Sequence, residues 1–263
     1  MAATLDLSGH VVLVTGGARG VGRGIATSFL EAGAAVVICG RHEPESTPTG
    51  GGRAATFTAT DVRDAEQVDA LVDSIVERFG RLDVAVNNAG GSPPAESATA
   101  PARFSTSIVA LNLLAALFVA QAANAVMQRQ EHGGLILNIG SVSGMRPSPS
   151  TAAYGAAKAG LINLTETLAV EWGPKVRVNL VTAGMVRTEQ SHLWYGGEDG
   201  IAAVGRTVPA GRIAEPADIG DACVLLATPL ARYISGANLA VHGGGERPAF
   251  LSASQGDINQ VKG

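Results

Sequence analysis

His10-Val11-Val12-Leu13-Val14-Thr15-Gly16-Gly17-Ala18-Arg19-Gly20-Val21-Gly22 is the stretch on which the fold turns. His10 to Val14 runs apolar without polar alternation, the pattern of a strand covered on both faces. The glycines then break that run, and helical spacing takes over from about Val21 to Glu31. A turn of this composition lets the backbone bend tightly and approach an anion. The helix behind it points free N–H groups and the positive end of its dipole the same way. The spacing is G-x-x-x-G-x-G rather than G-x-G-x-x-G, and no Gly-Lys-Ser/Thr follows as in a P-loop. A glycine turn of this kind also occurs without a ligand, so its meaning depends on the rest of the chain.

Outward from that unit, short apolar runs keep alternating with helical patterns. Strands are expected at 35–39, 54–60, 82–86, 135–139, 176–181 and 238–241, with helices at 66–79, 103–130, 152–172 and 216–227. Apolar strands separated by helices imply an α/β fold, a parallel sheet covered on both faces and doubly wound by right-handed crossovers. Ligands then belong beyond the carboxyl ends of the strands. No repeat, linker or composition break divides the chain. We therefore expect a single domain over 1–263, with a core of about 7–245 and a polar tail over 246–263. Pro44 to Gly52 reads as a loop in place of a crossover helix, and Gly196 to Val208 as a flap.

The 263 residues are 46% hydrophobic and only 16% charged, enough apolar material for a large core. The net charge of −4, with no basic stripe, argues against nucleic acid. Cys39 and Cys223 lack CxxC spacing or a His partner, so no metal site is expected and both read as buried thiols of a reducing compartment. Met1 to Gly9 lacks the pattern of a secretory signal, which favours the cytoplasm. Ile108 to Met127 carries no formal charge and is long enough to span a bilayer. Asn112, Gln121, Asn124 and several alanines dilute it, so it is read as a helix buried in the domain or at a subunit interface, not as a membrane anchor.

Ala153-Tyr154-Gly155-Ala156-Ala157-Lys158 places a phenol and an ammonium on one helical face. A phenol with an ordinary pKa of about 10 exchanges protons poorly near neutrality. A nearby ammonium stabilises the phenolate and brings that pKa toward the useful range. Any helix can show such a pair by accident. Ser141, however, ends the fifth strand thirteen residues upstream of Tyr154, where a parallel sheet presents its reactive groups, although a lone serine there also serves as a turn residue.

Thr15-Gly16-x-x-x-Gly20-x-Gly22, Asn87-Asn88-Ala89-Gly90, Ser141 and Tyr154-x-x-x-Lys158 occur in that order. Together they closely resemble the classical short-chain dehydrogenase/reductase family, in its 3-oxoacyl-carrier-protein-reductase-like form, from roughly Leu7 to Gly245. The resemblance implies a Rossmann-type, seven-stranded parallel sheet and a catalytic tetrad of Asn112, Ser141, Tyr154 and Lys158. It implies that Tyr154 moves the hydroxyl proton, Ser141 polarises the carbonyl, Lys158 lowers the tyrosine pKa and holds the nicotinamide ribose, and Asn112 supports a water relay. An Asn within an apolar helix is also read as a satisfied core polar group. By the same likeness Gly16, Ala18, Arg19, Gly20, Val21 and Gly22 hold the pyrophosphate side. Asp61 and Val62 border the adenine, and Asn88, Ala89 and Gly90 the adenosine and ribose. Gly184, Val186 and Thr188 approach the nicotinamide. Ala183 stands where the family has proline, which leaves that backbone less constrained.

An acidic residue at the end of the second strand would bind a ribose 2′-hydroxyl. Cys39-Gly40-Arg41 stands there instead, with Arg19 in the turn. Two guanidinium groups suit a 2′-phosphate, so the expected cofactor is NADP(H), with NAD(H) the alternative if Arg41 is only a solvated loop residue. The expected substrate is a ketone or secondary alcohol of moderate size, walled by 91–96, 143–150 and 185–208. His192, Leu193, Trp194 and Tyr195 either line that pocket or pack as a lid. The likeness also suggests a homotetramer built on the long helix. A rival reading is a non-catalytic dinucleotide sensor or scaffold on the same fold, which has no need of a complete tetrad.

Overall fold

The apolar runs do become the central strands of a parallel sheet, and what they bury sets the layers. In this computed structural model, residues 5–250 are described. The strands are β1 (Val11–Thr15), β2 (Ala35–Gly40), β3 (Thr49–Gly50), β4 (Arg53–Ala54), β5 (Thr56–Ala59), β6 (Val84–Asn87), β7 (Gly134–Ser141), β8 (Val176–Ala183) and β9 (Asn238–Val241). Seven of them form one sheet in the order β5-β2-β1-β6-β7-β8-β9, parallel throughout. The chain winds outward from β1 in one direction, then restarts at β6 and winds in the other. That reversal opens a crevice above β1 and β6, where such sheets bind ligands.

Helices α1 (Gly20–Glu31) and α8 (Pro216–Ala227) cover one face, burying Ile25, Phe29, Ile219 and Val224 against Val12, Val14 and Ile38. Helices α2 (Ala65–Phe79), α4 (Ala115–Met127) and α5 (Ala152–Trp172) cover the other, where Leu71, Ile75, Val119 and Met127 meet Leu13, Ile136 and Val178. Local chemistry sets the ends of some of these helices. Asp64 caps α2 by accepting from the N–H groups of Glu66 and Gln67, and Gly80 closes it in the left-handed region. Glu215 and Asp218 form a capping box around Pro216 at the start of α8.

Three expectations need correcting. The long helix is not continuous: α3 (Ala102–Val109) joins α4 through a π-helical turn over Ala110–Leu114. By length and composition Ala102–Met127 is apolar enough to cross a membrane, but α4 packs along the sheet beside α2. The Pro44–Gly52 loop is partly ordered as the β3–β4 hairpin, whose Gly50 lies against Thr27 and Glu31 of α1. The 196–208 segment holds a helix, α7 (Glu198–Gly205), following the short α6 (Ser191–Tyr195). Ile201, Val208 and Ile213 give that lobe a small core of its own. Most of the polar tail lies outside the described residues.

Candidate active site

The glycine turn and the loop after β6 are bound to each other before any ligand is considered. Thr15 Oγ1 accepts from the N–H groups of Asn88 and Ala89, both at 3.0 Å. The Asn88 amide donates back to the carbonyls of Thr15 and Gly16. Gly22 has no room for a side chain, because a β-carbon there would overlap the Gly16 carbonyl oxygen and the Asn88 amide. Above this cradle lies a cleft of about 680 Å³. It runs from the first turn of α1, whose N–H groups have no acceptor within the helix, to Tyr154. An elongated group with an anionic centre fits that shape and donor set.

At the far end, β7 and α5 bring the reactive groups together. Gly144 makes this approach possible, since a β-carbon there would sit 2.7 Å from the backbone carbon of Lys158. Ser141 Oγ accepts from Ser143 N–H at 3.2 Å, which leaves its own proton free to point elsewhere. Lys158 is 5% exposed, and its Nζ donates to the Ile139 carbonyl at 2.7 Å while lying 5.7 Å from the Tyr154 ring centre. Burial brings the Lys158 ammonium down to about 8. Burial also pushes the Tyr154 phenol above its ordinary value, with the Ser141 hydroxyl opposing that rise. The expected lowering of the tyrosine by its lysine is therefore not the dominant effect in this state: desolvation is.

Every residue expected to touch the cofactor borders this cleft, as do Ser141, Tyr154 and Lys158. Asn112 is the exception. It is buried in the π-helical turn, accepts from Gly91 N–H at 2.8 Å, and donates to the carbonyls of Gly91 and Ile108 at 2.9 Å. Its side chain holds the loop after β6 in place and is committed there rather than to the expected relay. Asn88 is similarly committed to the glycine turn. Ala183, despite the missing proline, is fixed from outside, because Gly184 N–H donates to Val241 of β9 at 3.0 Å.

Arg19, Arg41 and His42 are exposed at the opposite end, beside Asp61. Arg63 grips the Asp61 carboxylate through Nε and Nη2 and holds its pKa at about 2. Arg63 was not anticipated, although its place two residues after Asp61 was a usable signal. Thr15 stood in the glycine motif without a role of its own, and Glu189 carried no signal in the sequence. Of the four residues His192 to Tyr195, Tyr195 turns into the small core of the α6–α7 lobe. Leu193 and Trp194 face solvent, and none of the four borders the cleft.

Comparison with known proteins agrees with this geometry. Residues 16–246 match the family described as enoyl-(acyl carrier protein) reductase. A D-threitol dehydrogenase from Mycolicibacterium smegmatis is 35% identical, covering 90% of this chain and 93% of its own length. The chain belongs to the classical short-chain dehydrogenase/reductase family. A 3-oxoacyl-[acyl-carrier-protein] reductase from Vibrio harveyi is 34% identical over 91% of this chain and 98% of its own. Among solved structures, an aldohexose dehydrogenase from Thermoplasma acidophilum superposes with a TM-score of 0.85 at 28% identity, covering 97% of this chain and 98% of that one. As a short-chain dehydrogenase/reductase, the chain is an oxidoreductase acting on CH–OH groups with a nicotinamide dinucleotide, NAD or NADP.

Proposed function

We propose that this enzyme interconverts a ketone and a secondary alcohol with NADP(H) as cofactor and Tyr154 as the proton-transfer group. The observation that carries this reading is the meeting of Ser141, Tyr154 and Lys158 at the end of a cleft that starts at the α1 N-terminus. The dinucleotide, when bound, supplies or accepts the hydride. The Tyr154 oxygen gives its proton to the nascent alkoxide in reduction and takes the hydroxyl proton in oxidation. Ser141, whose proton is not used by its contact with Ser143, orients the substrate oxygen beside Tyr154. Lys158 is anchored by the Ile139 carbonyl, keeps further donors for the ribose, and stabilises phenolate once it forms. Asn112 positions the loop of Gly90 and Gly91 through its side chain.

The exposed guanidinium groups of Arg19 and Arg41 favour a 2′-phosphate, since neither has an ion-pair partner among the described residues and Arg63 already neutralises Asp61. Exposed Leu225, Leu230, Tyr233 and Ile234 near β9, and Leu114 and Val170 near α4 and α5, offer two apolar faces for a homotetramer. A monomeric mass by light scattering at micromolar concentration would remove that assembly.

The test is a panel of ketones, secondary alcohols, polyols and sugars followed at the reduced-nicotinamide absorbance with both cofactors. Tyr154→Phe should lower kcat by about 10²–10⁴-fold on the best substrate, the usual worth of a positioned acid/base. Turnover that survives this change sinks the mechanism. A higher kcat/KM with NAD(H) sinks the NADP assignment, as does an Arg41→Ala variant that weakens both cofactors equally.

A further inference from the structure

Helices α2 and α8 are capped by their own neighbouring side chains, whereas α1 is capped from across the cleft. Arg19 at its N-cap supplies no side-chain acceptor. Gly20 N–H instead donates to the Glu189 carboxylate, 3.3 Å from Oε1 and 3.1 Å from Oε2. Glu189 belongs to the loop between β8 and α6, 169 positions away in sequence, and borders the same cleft. Among the described residues its carboxylate has no other hydrogen bond and no ion pair, and neighbouring Arg187 is occupied by Glu198. The Thr188 methyl lies close to Gly20 as well, so this loop rests on the glycine turn.

We propose that Glu189 is an internal competitor for the dinucleotide pyrophosphate: its carboxylate takes the Gly20 N–H at the first turn of α1 and must leave before the cofactor can take that donor. This inference rests on reading the cleft as a dinucleotide site. Both anions seek the same backbone donor and the same end of the helix dipole, and two like charges there repel. Cofactor arrival therefore releases the loop that carries Thr188 and leads into α6, tying the cofactor end of the cleft to the substrate wall.

The experiment measures equilibrium binding of NADPH, ADP-ribose and adenosine 2′-monophosphate to the full chain by titration calorimetry, for wild type, Glu189→Ala and Glu189→Asp. A carboxylate at an exposed helix N-terminus is worth enough that its removal should tighten binding about two- to fivefold. That gain should appear for NADPH and ADP-ribose, which carry the pyrophosphate, and not for adenosine 2′-monophosphate. Asp keeps the charge but is one methylene too short to reach Gly20, so it should bind like Ala. An Asp variant that behaves as wild type would show general repulsion and overturn the proposal. Unchanged or weaker binding by Glu189→Ala overturns it too, as does an equal gain for adenosine 2′-monophosphate. If wild-type protein binds none of the three probes, the dinucleotide reading itself fails and the proposal falls with it. Cooperative thermal unfolding of both variants verifies that they fold.

Discussion

The two ends of the cleft are built differently. At the cofactor end, β1, the glycine turn and the loop after β6 are tied together by Thr15 and Asn88, with backbone packed too closely for a side chain at Gly22. Beside the cleft, at the end proposed to take the substrate, 185–208 forms a lobe around Ile201, Val208 and Ile213, with Leu193 and Trp194 left 69% and 52% exposed. The first region recognises a constant chemical group, so rigidity costs it nothing. The second, on the proposed reading, faces the substrate, and a small core of its own lets it change without disturbing the sheet. The contrast predicts that equal changes in size have unequal consequences at the two ends.

The largest effect is expected at the tight end. Gly22→Ala adds one methyl group, but it meets the Gly16 carbonyl oxygen and the Asn88 amide, both held by other bonds. We expect a loss of about 3 kcal/mol in urea unfolding, the upper range for overpacking a closed site, together with weaker dinucleotide binding. A variant as stable as wild type would show the turn to be softer than its packing indicates.

The cluster of Ser141, Tyr154 and Lys158, at the far end of the cleft from the glycine turn, buries a charge at a cost in stability. Burial holds Lys158 at about 8 against an ordinary 10.5. Below pH 8 the ammonium is protonated in folded and unfolded chains alike, and its burial cost is complete. Between about 8 and 10.5 the folded state releases the proton first, so the unfolded chain binds more protons and stability rises with pH. Lys158→Met removes that rise and, at pH 7, should stabilise the cofactor-free protein by about 1–2 kcal/mol, the burial cost less the lost bond to Ile139. Chemical denaturation across pH 6–10 (roughly the window the lysine spans) measures it. A destabilised variant would mean the Ile139 bond outweighs the desolvation.

How much of this was legible depends on the range over which each signal acts. The first strand, read over His10–Val14 and found at Val11–Thr15, the glycine turn and the Tyr154–Lys158 pair are all legible from neighbours a few residues apart, and the structure brings the turn and the pair to one cleft. Features set by distant partners were not legible. No residue type marks the π-helical turn around Asn112, so its commitment to Gly91 could not be foreseen. The glycines at 196, 197, 200 and 205 look like loop punctuation, whereas in the fold Ile201 of α7 packs against Val208 and Ile213. The proximity of Lys158 to Tyr154 was visible, but the burial that dominates the phenol was not, because desolvation is a property of the whole packed chain. The Glu189–Gly20 contact joins two segments that share no local pattern.

The smallest effect is expected at the loose end, and it takes two variants to read. Helix α6 is five residues long, too short to hold itself together, so Tyr195 must anchor it through the lobe's core. Trp194, one residue earlier, points the other way into solvent. Trp194→Ala should therefore change unfolding free energy by no more than about 0.5 kcal/mol, as surface substitutions do. Tyr195→Ala, which removes a ring from a small cluster, should cost about 2 kcal/mol or more. Dinucleotide affinity should be untouched in the Trp194 variant, since that ring does not border the cleft. If Trp194→Ala proves as costly as Tyr195→Ala, the indole is packed against something in solution, and the substrate lobe is not the independent unit that its core suggests.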